Sequence, residues 1–460
     1  MTQQSQFALL RTRRFLPFFV TQLLGAFNDN VFKQGLIFVV LFGLAFDADK
    51  GNLLVNLCHM LFILPFFLFS ALGGQFGEKF AKDALIRAIK LAEIGIMLVG
   101  AVGFFLNSLP LLLLALFGMG THSALFGPVK YSILPATLRE EELVGGNALV
   151  EMGTFLAILA GTIGAGVIMS GSHSAGMISA AIMVVACLGY LASRSIPRVH
   201  AAMPELTLDW NIFRQTWSTV RLGLGQRPAV SRSLLGNSWF WFLGSIYLAQ
   251  MPAFAKELLH GDKSVITLIL TVFSVGIALG SVLCERLSGR KVEIGLVPFG
   301  SIGMTVFGIL LWWHAGGFPQ ASEPYTWLTL LEQGQAWWLL ADILGIGIFG
   351  GFYIVPLYAL IQSRTVAHER ARVIAANNIL NALFMVVAAL VAMLLLNVAG
   401  LSIPELFLVV SLMNIAVNTY IFKIVPEFTM RFLIWLLSHS LYRVRHEGLD
   451  VIPDEGAAML

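Results

Sequence analysis

Asp29 and Lys33 stand four residues apart in the stretch "GAFNDNVFKQG" (25–35), flanked by Asn28, Asn30 and Gln34, in a chain that is 57% hydrophobic and 12% charged. Four residues is about one helical turn, so the two charges share a face. A carboxylate accepts hydrogen bonds and an ammonium donates them. Together they can receive a ligand that carries a cation and an anion a few ångströms apart. A charge at the centre of a bilayer costs about 2.5–3.5 kcal/mol on insertion scales. An apolar pair would be cheaper for stability, so the patch is expected to serve recognition or gating rather than packing.

Further candidates follow from the same logic. Asn147 and Glu151 are four apart in "GGNALVE" (145–151), and Asn377 and Asn381 repeat that spacing in "AANNILN" (375–381). Lys130, beside Tyr131, ends an apolar run, where it could contact a ligand or reach out to lipid phosphates. Glu93, His122 and Asp342 stand alone in apolar runs, and a lone histidine is more often a packing residue than a proton sensor. Glu140, Glu141 and Glu142 read as a solvated loop. Three separated cysteines, Cys58, Cys187 and Cys284, have neither metal nor disulfide spacing and are expected to be small buried hydrophobes. No phosphate-cradling loop supports ATP use, and no cofactor is expected. The net charge of +3, with no basic tract interleaved with aromatics, gives no reason to expect a nucleic-acid partner.

The elements that must position these residues are membrane spans. With 35 Phe, 44 Gly and a mean hydropathy of +0.82, the chain repeatedly reaches the roughly 20 apolar residues that cross a bilayer. Twelve spans are predicted between residues 15 and 423, an all-α membrane protein. The apolar run after Arg11, Arg13 and Arg14 is too long for a signal segment, so the first span is expected to stay. All but four of the 29 Lys and Arg residues fall on one side; Lys33 is in the first span, and Lys50, Lys256 and Lys263 are on the other side. That asymmetry predicts both termini in the cytoplasm.

The chain also repeats itself. "GGQFGEKFAKD" (73–83) after the second span matches "GSVLCERLSGR" (280–290) after the eighth, aligning Glu78-Lys79 with Glu285-Arg286. "GMGTHSALFGPVKYSIL" (118–134) matches "GIGIFGGFYIVPLYALI" (345–361), and Asn147 aligns with Asn377. The expected organisation is a six-helix bundle over 1–193, a central cytoplasmic loop over 194–228, a second six-helix bundle over 229–425 and an interfacial tail over 426–460.

Two parallel six-helix repeats resemble the major facilitator superfamily. "GQFGEKFAKD" and "CERLSGRK" resemble its short acidic-basic loop, which implies a gating role for Glu78, Lys79, Asp83, Glu285, Arg286 and Arg290. Within it, "QLLGAFNDNVF", "FGPVKYSIL" and "ELVGGNALVEMGTFLAILAG" are similar to the bacterial lysophospholipid transporters. That likeness implies a flippase in the bacterial inner membrane working by alternating access. Its substrate, a lysophosphatidylethanolamine, would meet Asn28, Asp29, Asn30, Lys33, Lys130, Asn147, Glu151 and Asn377. The tail "LYRVRHEGLDVIPDEGAAML" resembles the opening of a glycerolipid acyltransferase, without its His-x4-Asp. It implies the transporter portion of a fusion, with a fused or associated acyltransferase as partner and membrane lipids around it, and no enzymatic activity in this portion. Two other readings stay open. One is a proton-coupled transporter of amphiphilic drugs or small solutes, with Asp29 or Glu151 carrying the proton. The other is a non-transporting anchor for an acyltransferase.

Overall fold

The computed structural model describes residues 5–43, 48–171, 174–288, 295–319, 323–424 and scattered residues between 430 and 441. Arg290 and the tail beyond residue 441 lie outside the described residues. Among the described residues, twelve long helices form the body: α1 (Leu16–Phe38), α2 (Ala48–Lys79), α3 (Lys82–Phe105), α4 (Leu109–Ser132), α5 (Leu143–Met169), α6 (Ser174–Ser193), α7 (Pro228–Ala253), α8 (Lys263–Leu287), α9 (Leu296–Ala315), α10 (Gly334–Arg364), α11 (Arg370–Met393) and α12 (Ile403–Ile424). A shorter linker helix, Ile212–Leu224, lies between α6 and α7.

Among the described residues, nine of these helices are long and apolar enough by themselves to cross a membrane. Polar residues such as Asn28, Asp29, Asn237 and Ser238 dilute α1 and α7, and the described apolar stretch of α12 is shorter. Leu98, Val102, Phe105, Leu114, Val184, Leu188, Leu390 and Met393 point outward and exposed. In water such a belt would drive aggregation; in a bilayer it is the lipid-facing surface. Of the cysteines, Cys58 and Cys284 are buried as expected, whereas Cys187 is exposed on α6, whose outer face carries that belt.

The helices form two bundles. In the first, α1 packs on α5 and α6, α2 on α4, and α3 on α4 and α6; in the second, α10 packs on α8 and α9, α7 on α11, and α9 on α12. Small residues let backbones approach. A methyl group on Gly276 would sit 2.6 Å from Leu344 O, and one on Gly347 would sit 2.6 Å from Phe273 O, so α8 and α10 meet backbone to backbone.

Between the bundles, α2 meets α11 and α5 meets α8. These two seams are closed at the end occupied by the α2–α3 turn and the basic linker, here called the basic end. Glu78 accepts from Ala371 N (2.7 Å) at the start of α11, and a methyl group on Gly74 would sit 2.8 Å from Ala375 Cβ. At the other seam Glu285 accepts from Gln6 N (3.3 Å), Gln6 Nε2 donates to Val282 O (3.0 Å), and Glu285 faces Gly145 of α5. The carboxylates aligned in the sequence repeat thus do equivalent jobs, each satisfying backbone N–H groups that no helical partner reaches.

Lys79 and Asp83 hold the linker instead. Lys79 donates to Leu206 O (2.7 Å), and Asp83 accepts from Val199 N (3.0 Å) while pairing with Arg87. Arg286 is exposed. In the linker, Asn211 N–H, the Gln215 amide and the Arg214 guanidinium hold the Asp209 carboxyl below the usual carboxylate range. The acidic loop is not simply solvated. Glu142 takes a two-pronged bond from Arg14 (2.5 and 2.7 Å) and another from Arg139 (3.0 Å), because α1 and α5 start side by side there.

Candidate functional site

The polar patch of α1 faces into the first bundle and divides into two layers. In the deeper layer Asn28 Nδ2 donates to Glu93 Oε1 (2.9 Å), and Lys90 Nζ donates to Glu93 Oε2 (2.5 Å). His122 Nε2 lies 3.3 Å from the same oxygen, near enough for charge attraction but not aligned as a hydrogen bond. The Lys90 and Glu93 side chains are 0% and 1% exposed, so this pair is cut off from both water and lipid. The Phe126 ring lies under the Lys90 ammonium, 5.5 Å away, and stacks beside His122.

The second layer retains accessible surface although it lies deep among the helices. Asp29, Lys33 and Lys130 are each half-buried. Asp29 and Lys33 do not pair. Ser123 Oγ of α4 donates to Asp29 Oδ2 (2.8 Å), while Lys33 Nζ lies over the Phe62 ring of α2 at 5.5 Å. Asp29 Oδ1 accepts no hydrogen bond from the described protein. Lys130 turns inward rather than out to lipid: it donates to Thr154 Oγ1 (2.9 Å), and Thr154 Oγ1 donates to Gln22 Oε1 of α1 (3.2 Å). Charged side chains turned toward the bundle interior rather than toward lipid mark a candidate substrate path.

Glu151 and Asn147 belong to a floor between the bundles. Tyr131 Oη donates to Glu151 Oε1 (2.6 Å), and the Tyr131 ring stacks on Tyr358 of α10 with centroids 4.2 Å apart. Asn147 and Gln362 exchange two hydrogen bonds (2.7 and 2.9 Å), joining α5 to α10. Asn377 stays in the second bundle, accepting from Asn237 Nδ2 (2.9 Å), and Asn381 accepts from Ser238 (2.9 Å). Asn30 donates back to Ala26 O within its own helix (2.8 Å). The repeat-related asparagines therefore sit at related places but make different bonds.

The facing wall, supplied by α7 and α10, has a different character. Its middle stretches, "SWFWFLGSIYLAQM" (238–251) and "GIGIFGGFYIVPLY" (345–358), carry no charge. An apolar hollow in this bundle is lined by Phe240, Leu243, Tyr247, Phe273, Met304 and Ile346. Asp342 lies near the opposite end of α10, where it meets His314 Nδ1 at 2.6 Å. Among the described residues, the deep charges are concentrated on one wall and absent from the middle of the other. Two features escaped the sequence reading: Lys90, whose spacing of three from Glu93 was the available signal, and Gln362, which pairs 215 residues away with no periodic trace.

Similarities to known proteins agree with this architecture. The family model described as Major Facilitator Superfamily matches residues 18–389. The lysophospholipid transporter LplT of Salmonella newport is 28% identical over 352 residues, covering 76% of this chain and 79% of that protein. Among solved structures, the human organic anion transporter MFSD10 has a TM-score of 0.70 at 14% identity, covering 92% of this chain and 99% of its own. The proton:xylose symporter XylE has a TM-score of 0.64 at 14% identity, covering 94% and 98%. Twelve helices in two bundles, seams sealed by repeat-related carboxylates and a family match across most of the chain lead to one conclusion: the chain belongs to the major facilitator superfamily.

Proposed function

We propose that the protein moves lysophospholipids of the lysophosphatidylethanolamine type between the leaflets of a bacterial inner membrane. The observation that carries the proposal is the unequal pair of walls. A lysophospholipid is a zwitterion on one apolar chain. The first bundle offers Asp29 to an ammonium and Lys33 or Lys130 to a phosphate, each as a charge-assisted hydrogen bond. The second bundle offers the uncharged, aromatic-rich middles of α7 and α10 to the acyl chain. The name of the 28% identical relative supports the same substrate class.

Transport follows from the two seams. With the basic end closed through Glu78, Glu285 and the Asn147–Gln362 pair, the site would be loaded from the other side. The bundles then rock, those bonds part, and the lipid leaves toward the basic end. The Lys and Arg distribution supports a cytoplasmic basic end and, with it, inward movement for reacylation. The acyltransferase-like tail sequence fits a fused or associated enzyme as the consumer. The organisation into bundles over 1–193 and 229–425, joined by the 194–228 loop, is part of this proposal.

The test is translocation of labelled lysophosphatidylethanolamine in proteoliposomes, with diacyl phosphatidylethanolamine alongside. Selective movement of the single-chain lipid is the expected result. Movement of neither lipid by folded protein would overturn the proposal.

A further inference from the structure

The linker helix Ile212–Leu224 has two unlike faces. The inner face is held by both bundles. Thr219 and Gly223 are buried, Thr216 Oγ1 donates to Phe67 O of α2 (2.8 Å), and a methyl group on Gly223 would sit 2.6 Å from Ala376 Cβ of α11. The outer face is bare. Phe213 and Trp217 are 80% and 73% exposed, and Trp210, just ahead of the helix, is 66% exposed with its ring edge-on to Phe76 of α2. A spacing of four puts Phe213 and Trp217 on one stripe of the helix, and Trp210 precedes it.

Depth identifies what covers that stripe. Asp209 is bonded to Gln75, whereas Thr216 is bonded to Phe67, eight residues further along α2. At 1.5 Å per residue that is about 12 Å along the helix. Phe67 lies well inside the membrane-length run Leu53–Lys79, and Leu64, about one turn along α2, is exposed. The aromatic stripe therefore reaches the level of exposed apolar side chain on α2. Arg214 is tied to Asp209 (2.5 Å), and Arg221 and Arg227 are exposed toward the far end of the helix, where lipid phosphates would meet them.

We infer that the linker helix is seated in the lipid leaflet at the basic end, with Trp210, Phe213 and Trp217 among acyl chains, and covers the α2–α11 seam. The seating stands on this geometry; the covering role rests on the transport reading. Thr216 grips α2 of the first bundle and Gly223 grips α11 of the second, so the seam cannot part without lifting the helix from one of them. Lipid that holds the aromatic face holds the seam shut.

The full chain with Cys58, Cys187 and Cys284 changed to alanine carries Trp217→Cys, labelled with an environment-sensitive fluorophore, in vesicles of phosphatidylethanolamine and phosphatidylglycerol. Blue-shifted emission is expected, quenched at least twofold more by mid-chain doxyl lipid than by aqueous iodide, with Glu205→Cys showing the reverse. Iodide quenching equal to that at Glu205 overturns the seating. So does a probe shielded from both quenchers whose signal changes with protein-to-lipid ratio, which would put a second copy of the chain there. For the cover, Ser70→Cys probes the seam, since Ser70 is buried on the α2 face shared with Phe67 and Gly74. Labelling by a lipid-soluble maleimide should become several-fold faster when Phe213 and Trp217 are both serine. An unchanged rate overturns the covering role. Neither readout uses a transported substrate, so failure here is distinct from failure of the transport reading.

Discussion

Glu93 is where the first bundle is most sensitive to a small chemical change. Its carboxylate is the centre of three contacts: Lys90 Nζ at 2.5 Å, Asn28 Nδ2 at 2.9 Å and His122 Nε2 at 3.3 Å. Glu93→Gln keeps the shape and removes the charge. Lys90, whose side chain is 0% exposed, is then left buried without its counter-ion. Removing one partner of such a buried pair costs about 3–5 kcal/mol. At about 2 °C per kcal/mol, the melting temperature of the detergent-solubilised protein should fall by roughly 6–10 °C. Removing both charges, in Lys90→Met/Glu93→Leu, leaves no unpaired charge, only the Asn28 amide without its acceptor, and should recover much of the loss. The assay is a thermal melt of parent, both single variants and the double variant. Glu93→Gln melting within about 2 °C of the parent would refute the reasoning, as would a double variant no more stable than the worse single.

Other predictions follow. Asp29→Asn should leave the amount of folded protein unchanged yet lower transport of an ammonium-bearing lysolipid roughly tenfold to a hundredfold, the worth of a charge-assisted bond of about 1.5–3 kcal/mol; unchanged transport removes the residue from the mechanism. Lys33→Met should raise the apparent substrate concentration needed for half-maximal rate, and a normal value would shift phosphate recognition to Lys130. Asn147→Ala leaves the buried Gln362 amide without its partner at a cost of about 1–3 kcal/mol, and should shift the population toward opening at the basic end; interbundle distances between spin labels there read it, and an unaltered distribution counts against the floor. Gly276→Ala should destabilise by about 1–3 kcal/mol because the added methyl meets Leu344 O rather than a yielding side chain, and an unchanged melt would show that α8 and α10 have slack.

The fold was legible because its main instruction is local. Apolar runs of membrane length mark the spans, and Glu78-Lys79 and Glu285-Arg286, aligned by the repeat, sit at structurally equivalent seams. The site was legible only in part. Asp29 and its neighbours announce themselves as charge in an apolar helix, but their partners do not. Ser123 lies 94 residues from Asp29 and Gln362 lies 215 from Asn147, and nothing periodic encodes either contact. Lys90 reads as one more basic residue near a span's start. It is buried because α3 begins at Lys82, two turns earlier, and small Gly25 and Gly189 leave room for its side chain. Glu93 and His122 read as isolated although Glu93 has Lys90 on its own helix, because their other contacts, Asn28 to Glu93 and Glu93 to His122, cross between helices.

The proposed transport depends on one wall reading charge while the other accepts the chain. Photolabelling the full protein in lipid vesicles with two lysophosphatidylethanolamine probes tests that division directly, one probe reactive at the head group and the other at mid-chain. The account predicts head-group adducts on α1 and α4 around Asp29 and Lys130, chain adducts on α7 and α10 around Phe240 and Ile346, and competition of both by unlabelled lysolipid but not by diacyl lipid. Chain adducts confined to the lipid-facing belt, insensitive to competitor, would contradict it.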